Sequence, residues 1–200
     1  MPTTAQTMRV GRVLRASTSS FSIGCRTMEA ELPTFGTLVR VERNGGGLIY
    51  GLIHDVRVDD DPFVRQLIAA GDLPAEYVED QRQRRQVPVE VSVLVVGGRE
   101  PGGRIYHRLP PQPPATLNWV DACPPAEVAE FGATFGFMRT VLNAVDAPAD
   151  ELLAAALRQM AGTREDEAAR VAYLIQAGRE LARLLSREPG RLDGILQRMR

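Results

Sequence analysis

Three stretches carry side chains of the types that do chemistry. Asp59–Asp61 is a run of three carboxylates, the raw material of a divalent-cation site. Arg82, Arg84 and Arg85, in the stretch RQRR, form a cationic cluster of the kind that meets phosphate. His54 and Asp55 are neighbours and are the two residue types of an acid–base pair. Each stretch has a plainer reading. The aspartates read as a solvated turn with Asp61 as a helix N-cap, and no second acidic cluster completes a metal shell. The arginines read as the cationic end of a helix, with no aromatic residues interleaved to make a single-strand platform. Adjacent residues of a strand point to opposite faces, so His54 and Asp55 are not expected to act together. No Ser–His–Asp or Cys–His set is visible along the chain, although such sets assemble in space. No catalytic residue, cofactor or metal is assigned from the sequence.

The stretch NGGG at Asn44–Gly47 looks like a phosphate loop but has the wrong sequel. A phosphate loop leads from a strand into a helix N-terminus. Here the strand-like VRVER precedes it and the strand-like LIYGLI follows, so a β-hairpin turn is expected. All 24 basic residues are arginine. With no lysine there is no Walker-type phosphate lysine, Schiff base or lysine general base. A formal net charge of −1 argues against a surface that grips nucleic acid all over, and leaves room for a local basic patch. Cys25 and Cys123 fit no zinc spacing, and His54 and His107 do not supply one; two free thiols are expected. The first residues lack the apolar core of a signal peptide, and no stretch suits a membrane-spanning helix, so a cytoplasmic location is the expectation.

The elements that must carry these residues are legible from periodicity. Strands are expected from about Met8, at SFSIGC, at GTLVRVER and at GLIYGLIHDVRV, the last apolar on both faces with a bend at Gly51. Val87 to Val95 alternates without a break and reads as the final strand. Between these, residues 61–86 read as a helical insertion with Pro62 at the first helical position and a second helix from Pro74 to about Gln86. Residues 98–122, rich in Gly and Pro, read as a linker or strap. Residues 123–200 read as a helical domain. In it Val128, Phe131, Phe135, Met138, Leu142 and Val145 form a narrow apolar seam on one helix spanning 125–145. Internal packing is the first reading of that seam and a subunit or partner interface the second. The fold class is therefore α+β: a small antiparallel β-barrel at 1–97 with a helical insertion, then the strap, then the helical domain.

GRV at Gly11–Val13, FSI at Phe21–Ile23, GTLVRV at Gly36–Val41, GLIHDV at Gly51–Val56 and the closing VEVSVLVVGG together resemble the HAS barrel. That is the N-terminal barrel of HerA-type DNA translocases, related to the N-terminal barrel of F-type ATP synthase subunits. The strap RLPPQPP is similar to the segment leaving that barrel. The resemblance carries no catalytic residue, and the ATPase core of that family has no counterpart here. What it implies is a ring-forming or docking role, with a HerA-type ATPase or NurA-type nuclease as partner. The expected function is thus a non-catalytic oligomerisation or docking module, forming a homo-oligomer. A surface made of Arg82, Arg84, Arg85, Phe131, Phe135, Met138 and Leu142 is the candidate contact. The alternatives are a hydrolase or nuclease with a spatially assembled site, and a barrel that binds single-stranded nucleic acid.

Overall fold

Five valines from Val87 to Val95 share one side of a strand, and all five are buried inside a barrel. The computed structural model describes residues 8–28, 31–58, 62–69, 71, 74–76, 79 and 86–199. The strands are β1 (Arg9–Ala16), β2 (Ser20–Met28), β3 (Leu38–Glu42), β4 (Leu48–Val58), β5 (Gln86–Arg99), β6 (Ile105–Tyr106) and β7 (Trp119–Ala122). All pairings are antiparallel. Around the barrel the order is β1-β2-β5-β4-β3-β7 and back to β1, a closed ring of six, with β6 an extra strand on β5. Helix α1 (Pro62–Ala69) is inserted between β4 and β5. The C-terminal region holds α2 (Pro125–Phe131), α3 (Phe137–Leu142), α4 (Ala149–Gly162), α5 (Glu167–Leu184) and α6 (Pro189–Arg198). The α+β class, the barrel, the insertion and the helical C-terminal region are all present.

β4 joins the two halves. Ile49 and Ile53 point into the barrel core, while Tyr50 and Leu52 point out and belong to the helical core. Leu38 and Val96 join them on that outer face. The helices therefore bury one wall of the barrel, and β4 is apolar on both sides because both sides are covered. A register shift against β5 falls between Tyr50 and Gly51, where the strand was expected to bend.

The NGGG stretch is the β3–β4 turn. Gly45, Gly46 and Gly47 have φ of 83°, 93° and 84°, in the left-handed region that only glycine enters freely. Arg43 N–H donates to the Gly47 carbonyl at 3.1 Å, and its Nε to the Gly46 carbonyl at 3.1 Å. A Cβ on Gly47 would lie 2.3 Å from the Arg99 carbonyl oxygen. Gly46→Val is expected to cost about 1 kcal/mol or more, and Gly47→Val more than that because backbone must shift. Urea denaturation of the two variants checks this; a Gly47→Val midpoint equal to wild type would contradict the turn geometry.

Residues 98–122 do more than link. They end β5, form β6 and supply β7, which lies between β1 and β3 and closes the barrel. β7 escaped the periodicity because it is four residues long and only Val120 among them is buried. Nor is 125–145 a single helix. It breaks into α2 and α3 at Gly132–Gly136, where glycine weakens the helix and the His107 ring sits against Gly136. On α5 the buried face is Tyr173, Ala177 and Leu181, whereas Val171 and Ile175 are exposed. The Thr163 hydroxyl donates to the Met160 carbonyl at the end of α4, and Asp166 alone caps α5 by accepting from Ala169 N–H at 2.7 Å.

Candidate functional site

Three polar constellations stand on the barrel wall, and they differ in what they can do. The first joins barrel to helices. Glu127, in the first turn of α2, is buried and accepts from the Tyr50 hydroxyl and from Arg40 Nη1. Arg99 Nε donates to the Tyr50 oxygen at 2.9 Å, and Arg99 also grips Glu130 by two bonds of 3.1 and 2.7 Å. Burial, then the Glu127 bond, pushes the Tyr50 hydroxyl well above its ordinary range. The Arg99 pair holds the Glu130 carboxyl below its ordinary range. Tyr50 has no exposed surface, so no substrate reaches its hydroxyl. The cluster is a clamp: charge-assisted bonds fix the start of α2 on β3, β4 and β5.

The second is a cleft of about 680 Å³ beside β4, and here the expectation for His54 and Asp55 needs correcting. The β4–β5 register jumps between Ile53 and Asp55, which makes His54 a bulge residue. A bulge re-aims side chains, and both His54 and Asp55 line the same cleft. In register, Arg15, Ser22, Ser92 and Asp55 follow one another across β1, β2, β5 and β4. Asp146 closes the far side. The Ser22 hydroxyl is buried with no hydrogen-bond partner. Burial holds His54 below the ordinary imidazole range, against the opposing pull of Asp55 and Asp146. His54 makes no hydrogen bond to any described residue, so a serine–histidine relay is not formed there.

The third surrounds Trp119. Arg12 on β1 lies directly opposite Trp119 on β7, and Arg9 lies opposite Asp121. Arg12 places its guanidinium carbon 3.8 Å from the indole centroid, and Arg9 at 4.5 Å. Each such contact is worth about 0.5–1 kcal/mol at an exposed site. The turn before β7 is stapled to its neighbours. Leu117 N–H donates to the Val13 carbonyl at 2.8 Å, Val13 N–H to Asn118 at 3.0 Å, and Asn118 Nδ2 to Glu42 at 3.2 Å. Leu117 takes a left-handed φ of 67°, unusual for a branched residue, and Arg12 Nη1 donates to its carbonyl at 2.8 Å. The tryptophan is thus displayed by a fixed turn, with 40% of its surface exposed. Arg9, Arg12 and Trp119 together line two clefts, of about 520 and 290 Å³. Arg40 and Asp121 line the larger and Arg26 the smaller. Neither Arg9, Arg12 nor Arg26 forms an ion pair with a described carboxylate. The Asp121 Oδ1 atom is buried without a hydrogen-bond partner.

The residues singled out from the sequence are placed elsewhere. Phe131 and Met138 are fully buried, and Phe135 and Leu142 are partly buried against the same helical core. That seam is internal packing, as the first reading had it, except that Val145 is 93% exposed and lies outside it. Asp59–Asp61 and Arg82, Arg84 and Arg85 lie outside the described residues, as does most of the expected second helix. Cys25 and Cys123 are unpaired, and burial pushes both thiols up. Sequence reasoning missed Trp119, Arg9 and Arg12. The available signal was the single tryptophan of the chain, and it was lost because its strand was read as strap. No family model matches the chain, and no curated protein matches it.

Proposed function

We propose that the protein is a non-catalytic docking module of a DNA-processing assembly of the HerA type, and that the barrel face around Trp119 is its contact surface. The observation that carries this is the fixed, solvent-facing indole flanked by Arg9 and Arg12. Tryptophan and arginine are residues on which binding energy concentrates: tryptophan covers a large area with few rotamers to lose, and arginine offers a planar fork of donors that also stacks. A solvent-facing tryptophan held by two cations is not there for the core, which closes on Val120 beneath it. The closed barrel is in keeping with the resemblance to HAS barrels, and with it comes the partner class, a HerA-type ATPase or NurA-type nuclease. Ring contacts through α2 and α3 form no part of this reading, since Phe131, Met138 and Val141 are already buried within the chain.

The test is retention of the assembly by the immobilised chain from a native lysate, with mass spectrometry as the readout. A HerA-type ATPase or nuclease is expected among the retained proteins. Trp119→Ala is expected to lose it by about tenfold or more, the loss of a hot-spot residue, with an unchanged melting temperature. Equal retention by the variant overturns the assignment of this face.

A further inference from the structure

We propose that the ligand of the Trp119 face is single-stranded nucleic acid, an inference that rests on reading this face as the contact surface. A base takes the place of one guanidinium now held over the indole, and the phosphates on either side of it meet Arg9, Arg12 and Arg26. Three features lead there. The partly exposed indole already lies against the guanidinium groups of Arg9 and Arg12, and the π-face of a base can take the place of one of them, freeing that arginine for phosphate. The arginines around it lack described carboxylate partners, so their charge is available to phosphate; guanidinium matches phosphate geometry and stacks as well. The two clefts lie on either side of one shared edge, Arg9–Arg12–Trp119, so a chain crossing that edge finds a polar groove before and after the indole.

A duplex hides its base faces in its own stack, so the indole selects unpaired strands. An acidic peptide would satisfy the arginines and leave the indole without a ring partner.

Trp119 is the one tryptophan of the chain, so tryptophan fluorescence, excited selectively past the absorption of the tyrosines, reports on this face alone. The intact protein is titrated with an oligodeoxycytidylate of about 12 nucleotides. Saturable quenching is expected, with log–log salt dependence of slope about −2 for three arginine–phosphate contacts on a single strand. A duplex of equal length is expected to bind much more weakly. By anisotropy of a labelled strand, Trp119→Ala and Arg12→Ala are each expected to lose about tenfold, while Trp119→Phe keeps part of the affinity. Binding unaffected by both alanine variants, or a duplex bound as tightly as the single strand, overturns the proposal. If no oligonucleotide binds while protein capture still depends on Trp119, the nucleic-acid ligand is wrong and the docking face stands. If Trp119→Ala changes neither, both are wrong.

Discussion

Met138→Asp is expected to unfold the helical half of the molecule, not to release one subunit from another. Met138 has no exposed surface and shares its core with Leu153, Leu157 and Met160. A carboxylate placed there loses its water and gains no partner, at a cost of about 4 kcal/mol or more. A natural domain has a margin of only about 5–15 kcal/mol, so the variant loses a large part of it and unfolds wherever the margin lies at the low end. Met138→Leu keeps the volume and the apolar character and is expected to cost less than about 1.5 kcal/mol. Urea denaturation followed by circular dichroism measures both, and light scattering reports assembly in parallel. A Met138→Asp protein that melts like wild type but has a smaller assembly would place the residue at a subunit contact and refute its burial.

Glu127→Ala is expected to be the most damaging change among the polar residues. One buried carboxylate answers the Tyr50 hydroxyl and Arg40, with Arg99 Nη2 at 4.0 Å. Its removal strands a fully buried hydroxyl proton and takes the counter-charge from Arg40, whose guanidinium is only about a quarter exposed, while Arg99 keeps Glu130. Breaking a buried pair by deleting one member costs about 3–5 kcal/mol, because the remaining charge stays where it is. Glu127→Gln keeps an acceptor for Tyr50 but not the charge, and a loss of about 1–2 kcal/mol is expected. The order Ala worse than Gln worse than wild type, in denaturant midpoints, is the result to look for. An alanine variant within about 0.5 kcal/mol of wild type would mean that the Glu127 bonds are solvated and that the α2–barrel contact rests on Val128, Phe131 and the Glu130–Arg99 pair.

These two residues also mark how far a sequence reading goes. Met138 is legible as part of an apolar seam because burial in a helix leaves a mark every three or four residues. Which surface covers the seam is not legible, since an intramolecular core and a subunit interface ask for the same side chains. Glu127 is not legible at all. A glutamate two residues after a proline pair reads as a first-turn acid favoured by the helix dipole, and its partners Arg40 and Tyr50 lie on other elements.

By itself the sequence determined whatever depends on neighbours along the chain. The alternation of Val87–Val95 set a face, the two apolar sides of β4 required cover on both, and three consecutive glycines set a hairpin turn instead of a phosphate loop. These follow from local backbone geometry and the two periods of side-chain direction. Tertiary structure decided what depends on pairing. Barrel closure recruits four residues of an apparent strap as β7, because the strands β1 and β3 would otherwise have open edges. A one-residue bulge at His54, set by the β4–β5 register, turns two residues expected on opposite faces into one cleft. The Trp119 face exists only because β7 lies beside β1, bringing together segments about as far apart as Arg12 and Leu117, 105 positions in the chain. No local pattern encodes that neighbourhood; it is fixed by the free energy of closing the barrel as a whole.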